Sequence, residues 1–87
     1  MKVYKYVLKN LSNVFKVNEN AQILHVASQG GEICMWATHS DDSTLIDREF
    51  FVVGTGHEFE LVGSAHIGTV LIDSEAIVFH VFEKFKQ

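Results

Sequence analysis

Proline is absent from this chain of 87 residues, and cysteine, arginine and tryptophan occur once each. The lone Cys34 excludes an internal disulfide, and without a C-x-x-C neighbour it excludes a local thiolate metal site. The longest uncharged apolar run, residues 76–82, is far short of the ~20 residues that span a bilayer as a helix. Met1-Lys2 leads directly into strand-like alternation with no apolar core or cleavage site, so no secretory signal is expected. Positive charge is also scarce. Seven basic residues face eleven acidic ones, for a net charge of −4. Duplex nucleic acid is therefore excluded as a partner, because that affinity rests on many contacts from Lys and Arg to phosphates. A small anionic ligand, which needs only a local cluster of donors, is not excluded.

Apolar residues are plentiful, at 47% against 21% charged, which excludes intrinsic disorder. A 9.8 kDa domain hides only about 60–65% of the surface its unfolded chain exposes. So much apolar material in so thin a core points to burial in a homo-oligomer. The expectation is one soluble, cytosolic domain over residues 1–87.

Hydrophobic periodicity is close to two throughout, and no helix-length stripe interrupts it. It predicts strands at residues 3–9, 14–17, 22–28, 33–38, 44–53, 65–73 and 76–85. Gln29-Gly30-Gly31-Glu32 reads as a tight hairpin, since glycine accepts the positive φ of such turns. Residues 10–13, 18–20, 39–43 and 73–75 read as turns, and 58–64 as a loop or short helical turn. Ile46, Arg48, Phe50 and Val52 share one face of the fifth strand. In the last strand Ile77, Phe79 and Val81 face one way while Val78, His80 and Phe82 face the other. Apolar character on both faces marks a strand that is central or covered on both sides. The fold class is all-β, a small sandwich or barrel of about seven mostly antiparallel strands.

The five histidines show no HxH or HxxxH spacing, so no metal site and no cofactor are expected. His25 and His39 are expected to be exposed. His80 reads as a buried, hydrogen-bonded histidine or as a ligand contact. Gly54-Thr55-Gly56-His57 frees the backbone either for an anion-binding nest of N–H groups or for a turn that simply needs glycine. It lacks the third glycine of a dinucleotide fingerprint and the lysine of a phosphate loop. Arg48 is either a ligand contact or the partner of Asp47, Glu49 or a cross-strand acid. It lies about 20 Å along an extended strand from Gly54, at ~3.3 Å per residue. Trp36, Tyr4 and Tyr6 are each a stacking platform or a core anchor. Cys34 reads as a small buried hydrophobe. No nucleophile stands beside an evident base, although His57 and His80 leave a small hydrolase open.

The chain resembles a family of small phage proteins. The resemblance covers most of the length and rests on Tyr4-Lys5-Tyr6, Ala21 to Val26, Cys34 to Ala37, Arg48 to Phe50, Gly54 to His57, Ile67 to Thr69, and Val78 to Glu83. The GTGH and VFHVFE blocks are the most specific. Glu58 stands where members often carry proline, and His66 where they carry an aromatic. The resemblance implies phage origin and residence in the cytoplasm of the infected bacterial host. Small phage proteins of this size include sponges that sequester nucleotide immune signals, such as cyclic ADP-ribose isomers and cyclic dinucleotides. Such a sponge would hold its ligand without chemistry, using Tyr6, Trp36, Arg48, Gly54, Thr55, Gly56, His57 and His80. An accessory protein that binds a host or phage protein is the alternative.

Overall fold

Alternation of apolar and polar residues builds seven strands: β1 (Lys2–Leu8), β2 (Ser12–Asn18), β3 (Ile23–Gln29), β4 (Glu32–His39), β5 (Leu45–Gly54), β6 (Ser64–Ile72) and β7 (Ile77–Lys84). The computed structural model describes residues 1–72 and 77–85. There is no helix among them, so residues 58–63 form a loop without a helical turn, and Ser64 already belongs to β6. The expected 73–75 turn lies outside the described residues.

Every strand pair is antiparallel. Two sheets result, a three-stranded sheet of order β1-β4-β3 and a four-stranded sheet of order β2-β5-β7-β6. Their inner faces share one apolar core, with Leu8, Val26, Ile33 and Met35 from the first sheet and Phe50, Val52, Val70 and Val81 from the second. Burying each of the larger side chains contributes about 1.5–3 kcal/mol. The architecture is a small sandwich. At one side β3 and β6 approach so closely that a Cβ on Gly68 would collide with Cγ2 of Val26.

The predicted hairpin closes β3 onto β4, with Gly30 and Gly31 at φ 61° and 80°. Positive φ at both central residues matches the right-handed twist of the flanking strands. Three expected turns are shorter than the sequence suggests, since Asn18 also closes β2 instead of opening the 18–20 turn. Asn13 belongs to β2, where its side chain accepts from Asn10 N–H and donates to the Asn10 carbonyl. His39 belongs to β4 and is not exposed, because its ring stacks on Tyr4 with centroids 4.1 Å apart.

Arg48 on β5 and Glu83 on β7, neighbouring strands of the four-stranded sheet, form an ion pair, with side chains only 13% and 10% exposed. Arg48 Nε donates to Glu83 Oε2 at 2.6 Å and Nη2 to Oε1 at 2.8 Å. Nη1 donates to the carbonyls of Asn18 and Ala21 at 3.0 and 2.9 Å. Four of the five guanidinium N–H groups are thus directed at protein acceptors. Hydrogen bonding to the Glu83 carboxylate raises the arginine's already high pKa, outweighing the opposite pull of burial. The acid that pairs with Arg48 is therefore neither Asp47 nor Glu49.

Breaking a buried pair from one side strands the other charge. Arg48→Met should cost about 3–5 kcal/mol in urea unfolding. Adding Glu83→Leu should recover most of that loss. A double variant no more stable than the single one would contradict this reading of the pair.

Candidate functional site

The register of the four-stranded sheet writes an aromatic row across its outer face. Phe51 pairs with Phe82, and Phe82 with His66. The next row is Val53, His80 and Thr69. β7 thus has an apolar inner face against the first sheet and an aromatic outer face, as its sequence predicts. Water would be poor company for that outer row, and the 55–63 segment folds across it as a strap. The Phe59 ring lies 4.7 Å from Phe82 and 6.4 Å from Phe51, centroid to centroid. Phe51 and Phe82 stack at 5.4 Å.

The strap begins in a β-turn. His57 N–H donates to the Gly54 carbonyl at 3.0 Å, and Gly56 sits at φ 90°, which a side chain would strain. Gly54 is needed for another reason. A Cβ there would meet the His57 ring at 3.0 Å, so the missing side chain lets the imidazole lie over the backbone. The amides of Thr55 and His57 already donate to the carbonyls of Val78 and Gly54. This segment is the turn that needs glycine, with two of its N–H groups unavailable to an anion nest.

A groove of about 280 Å³ opens beside this turn, lined by Val53, Gly54, Thr55, Gly56, His57, Phe59, His80 and Phe82. Five of the eight residues singled out from sequence meet there. On the far side of Phe59 a second groove of about 250 Å³ is lined by Glu49, Phe51, Glu60, Val62, Ser64 and Lys84. A hydroxyl–imidazole chain runs along the first groove. Thr55 Oγ1 lies 3.0 Å from His80 Nε2, His80 Nδ1 lies 3.1 Å from Thr69 Oγ1, and Thr69 Oγ1 lies 3.2 Å from His66 Nε2. A neutral imidazole has one donor and one acceptor, and a hydroxyl one donor. The chain can therefore be ordered in either direction, and Thr55 can end it by donating to the Val78 carbonyl at 3.5 Å. His80 is half-buried on the groove wall. It is both a hydrogen-bonded histidine and a groove residue.

Three sequence candidates lie elsewhere. Arg48 is committed to Glu83 in the inner layer. Tyr6 also points inward, with its ring 5.2 Å from Phe15. Burial pushes its phenol pKa up, Tyr4 adds to this, and Arg48 opposes it. Trp36 lies on the outer face of the other sheet, half-buried, with its ring 6.0 Å from His25. It is not a core anchor. Cys34 is buried on that same outward register, with Sγ 3.8 Å from the Glu32 carbonyl.

Sequence reasoning missed Phe59, Phe82 and Thr69. Thr69 was within reach, because a β6–β7 hairpin of the predicted lengths places it near His80. Nothing local marks Phe59, whose role depends on the strap turning back over the sheet. His66 packs edge-on to Phe82 at 5.3 Å and adds the bond to Thr69, which an apolar aromatic would not make. Among the described residues no group of three or more His, Cys, Asp or Glu is placed to hold a metal ion. No helix there is long and apolar enough to cross a membrane.

Residues 1–87 match the family model described as Domain of unknown function (DUF7352), and the chain belongs to that family. No curated protein and no solved structure matches it.

Thr69 is the hydroxyl that couples the two outer histidines. Thr69→Val should cost about 1 kcal/mol and change the imidazole nitrogen resonances of both His66 and His80 in long-range proton–nitrogen spectra. A change confined to one ring would show that the chain is not continuous.

Proposed function

We propose that the protein is a non-catalytic binding module that sequesters a small nucleotide in the groove beside the strap. Cyclic ADP-ribose-type signals and cyclic dinucleotides are the ligand classes. The setting is the cytoplasm of a phage-infected bacterium, where removing such a signal would inhibit anti-phage defence. One observation carries the reading: the Gly54–His57 turn and His80, far apart in sequence, converge with Phe59 and Phe82 on a single groove. An aromatic wall beside hydroxyl and imidazole groups suits the planar base of a nucleotide, because ring stacking tolerates many bases and the polar rim orients them. Among the described residues no lysine or arginine lines this groove. The phosphates would therefore meet His57, since both ring nitrogens of His80 are engaged by Thr55 and Thr69, and Arg48 takes no part.

A specific observation also favours the accessory-protein reading. Leu61 and Val62 are 60% and 90% exposed on the strap, and neighbouring exposed apolar side chains often mark a protein interface.

Calorimetry and thermal shift against ADP-ribose, its cyclic and histidine-linked derivatives, cyclic dinucleotides and NAD separate the readings. One ligand at 100 times its Kd should add about 2.7 kcal/mol of stability and be recovered intact. Phe59→Ala should weaken it at least tenfold, about 1.4 kcal/mol. Arg48→Ala is a poor test, because it removes the buried partner of Glu83. A flat panel would overturn the proposal in favour of a protein partner, and cleaved ligand would reveal a hydrolase.

A further inference from the structure

The strap is only half absorbed by the sheet it covers. Phe59 packs at a tilt on Phe82 yet remains 44% exposed. Leu61 and Val62 point away, and Phe85, also about half exposed, is tied to the strap by its amide, which donates to the Gly63 carbonyl at 2.7 Å. Large apolar side chains scattered singly over a surface are ordinary, but four on one short strap and the strand end beside it are not. The opposite face of the sandwich is mixed: Val3 on β1 is 56% exposed, and Lys5 on the same strand donates to Gln29 at 2.8 Å.

The dimensions point the same way. The chain exposes 5744 Å², whereas a compact monomer of its mass exposes about 5,200 Å². Its radius of gyration is 13.0 Å against about 12 Å for a compact domain of this length. It is a slab of 41 × 30 × 17 Å. Two slabs stacked on the strap would be about 34 Å thick, close to the other two dimensions, and a standard interface needs only about 800 Å² from each partner.

We infer that a second copy of this chain docks on the strap face, pairing the two straps about a two-fold axis. A symmetric pair uses the same patch on both copies, so the Leu61–Val62 patch of one copy packs on the Leu61–Val62 patch of the other. The pairing roofs both grooves that flank Phe59, which within one chain are open to solvent. The slab's surface excess and apolar strap carry this inference whether or not a nucleotide binds.

Sedimentation velocity of the full chain, from micromolar to near-millimolar concentration, tests it. The expected species has twice the mass of 9.8 kDa. Val62→Glu and Leu61→Lys should each raise the dimer dissociation constant at least tenfold. Leu24→Lys, which alters an exposed leucine on β3, should leave it unchanged. Trp36 lies on the far face, so an unaltered emission spectrum will certify that each variant is folded. A wild-type monomer at every concentration, or folded Val62→Glu and Leu61→Lys variants that dimerise like the wild type, would overturn the inference. The nucleotide panel is read separately, so failure of either experiment leaves the other interpretable.

Discussion

A single buried guanidinium organises the inner layer of this sandwich. Arg48 on β5 holds Glu83 on β7 with two parallel hydrogen bonds and the β2–β3 connection with two more. A charge removed from water demands partners, and the planar fork of arginine demands them at fixed angles. Satisfying those demands fixes three chain segments relative to one another. One of them is the point where the chain leaves the four-stranded sheet for the three-stranded one. Asn18, whose carbonyl accepts from Arg48, spends its side chain on the 40–43 loop, bonding the Ser40 amide and the Ser40 and Ser43 carbonyls. The ion pair and this buried amide form one continuous polar seam beside the apolar core.

With the inner layer closed, function is left to the outside. β7 is apolar on both faces, and the outer one has no third layer to cover it. A strap of nine residues cannot cover what a sheet or helix would. Phe59 seals the aromatic row at one point and leaves a groove on each side. The glycines of the Gly54-Thr55-Gly56-His57 turn matter here because they aim the strap. Gly56 supplies the positive φ that reverses the chain, and Gly54 makes room for the His57 ring. The polar chain from Thr55 through His80 and Thr69 to His66 then gives the groove an ordered set of donors and acceptors.

Much of this was legible in the sequence, for a physical reason. Period-two alternation is a local property, so all seven strands, the Gly30-Gly31 hairpin and the facing of Ile46, Arg48, Phe50 and Val52 could be read directly. The two faces of β7 and the need to cover both were legible too. What could not be read depends on contacts distant in sequence. The acid for Arg48 lies 35 residues away on another strand, and no local pattern prefers Glu83 to Asp47 or Glu49. Trp36 alternates correctly, but which of its two faces meets the core is decided by how the chain divides into sheets. The site was legible in part: its turn and His80 stand out as residue types, whereas Phe59 needs the path of the strap.

Nucleotide binding in the strap groove, as proposed, leaves the arginine seam untouched. A proton–nitrogen correlation spectrum of the labelled protein, recorded while the nucleotide panel is titrated in, tests it most directly. Shifts are expected to gather on residues 55–63, Thr69 and His80, with Trp36 and its neighbours still. Shifts centred on Trp36 and His25, or a spectrum unmoved at saturating concentration of every ligand, would contradict it.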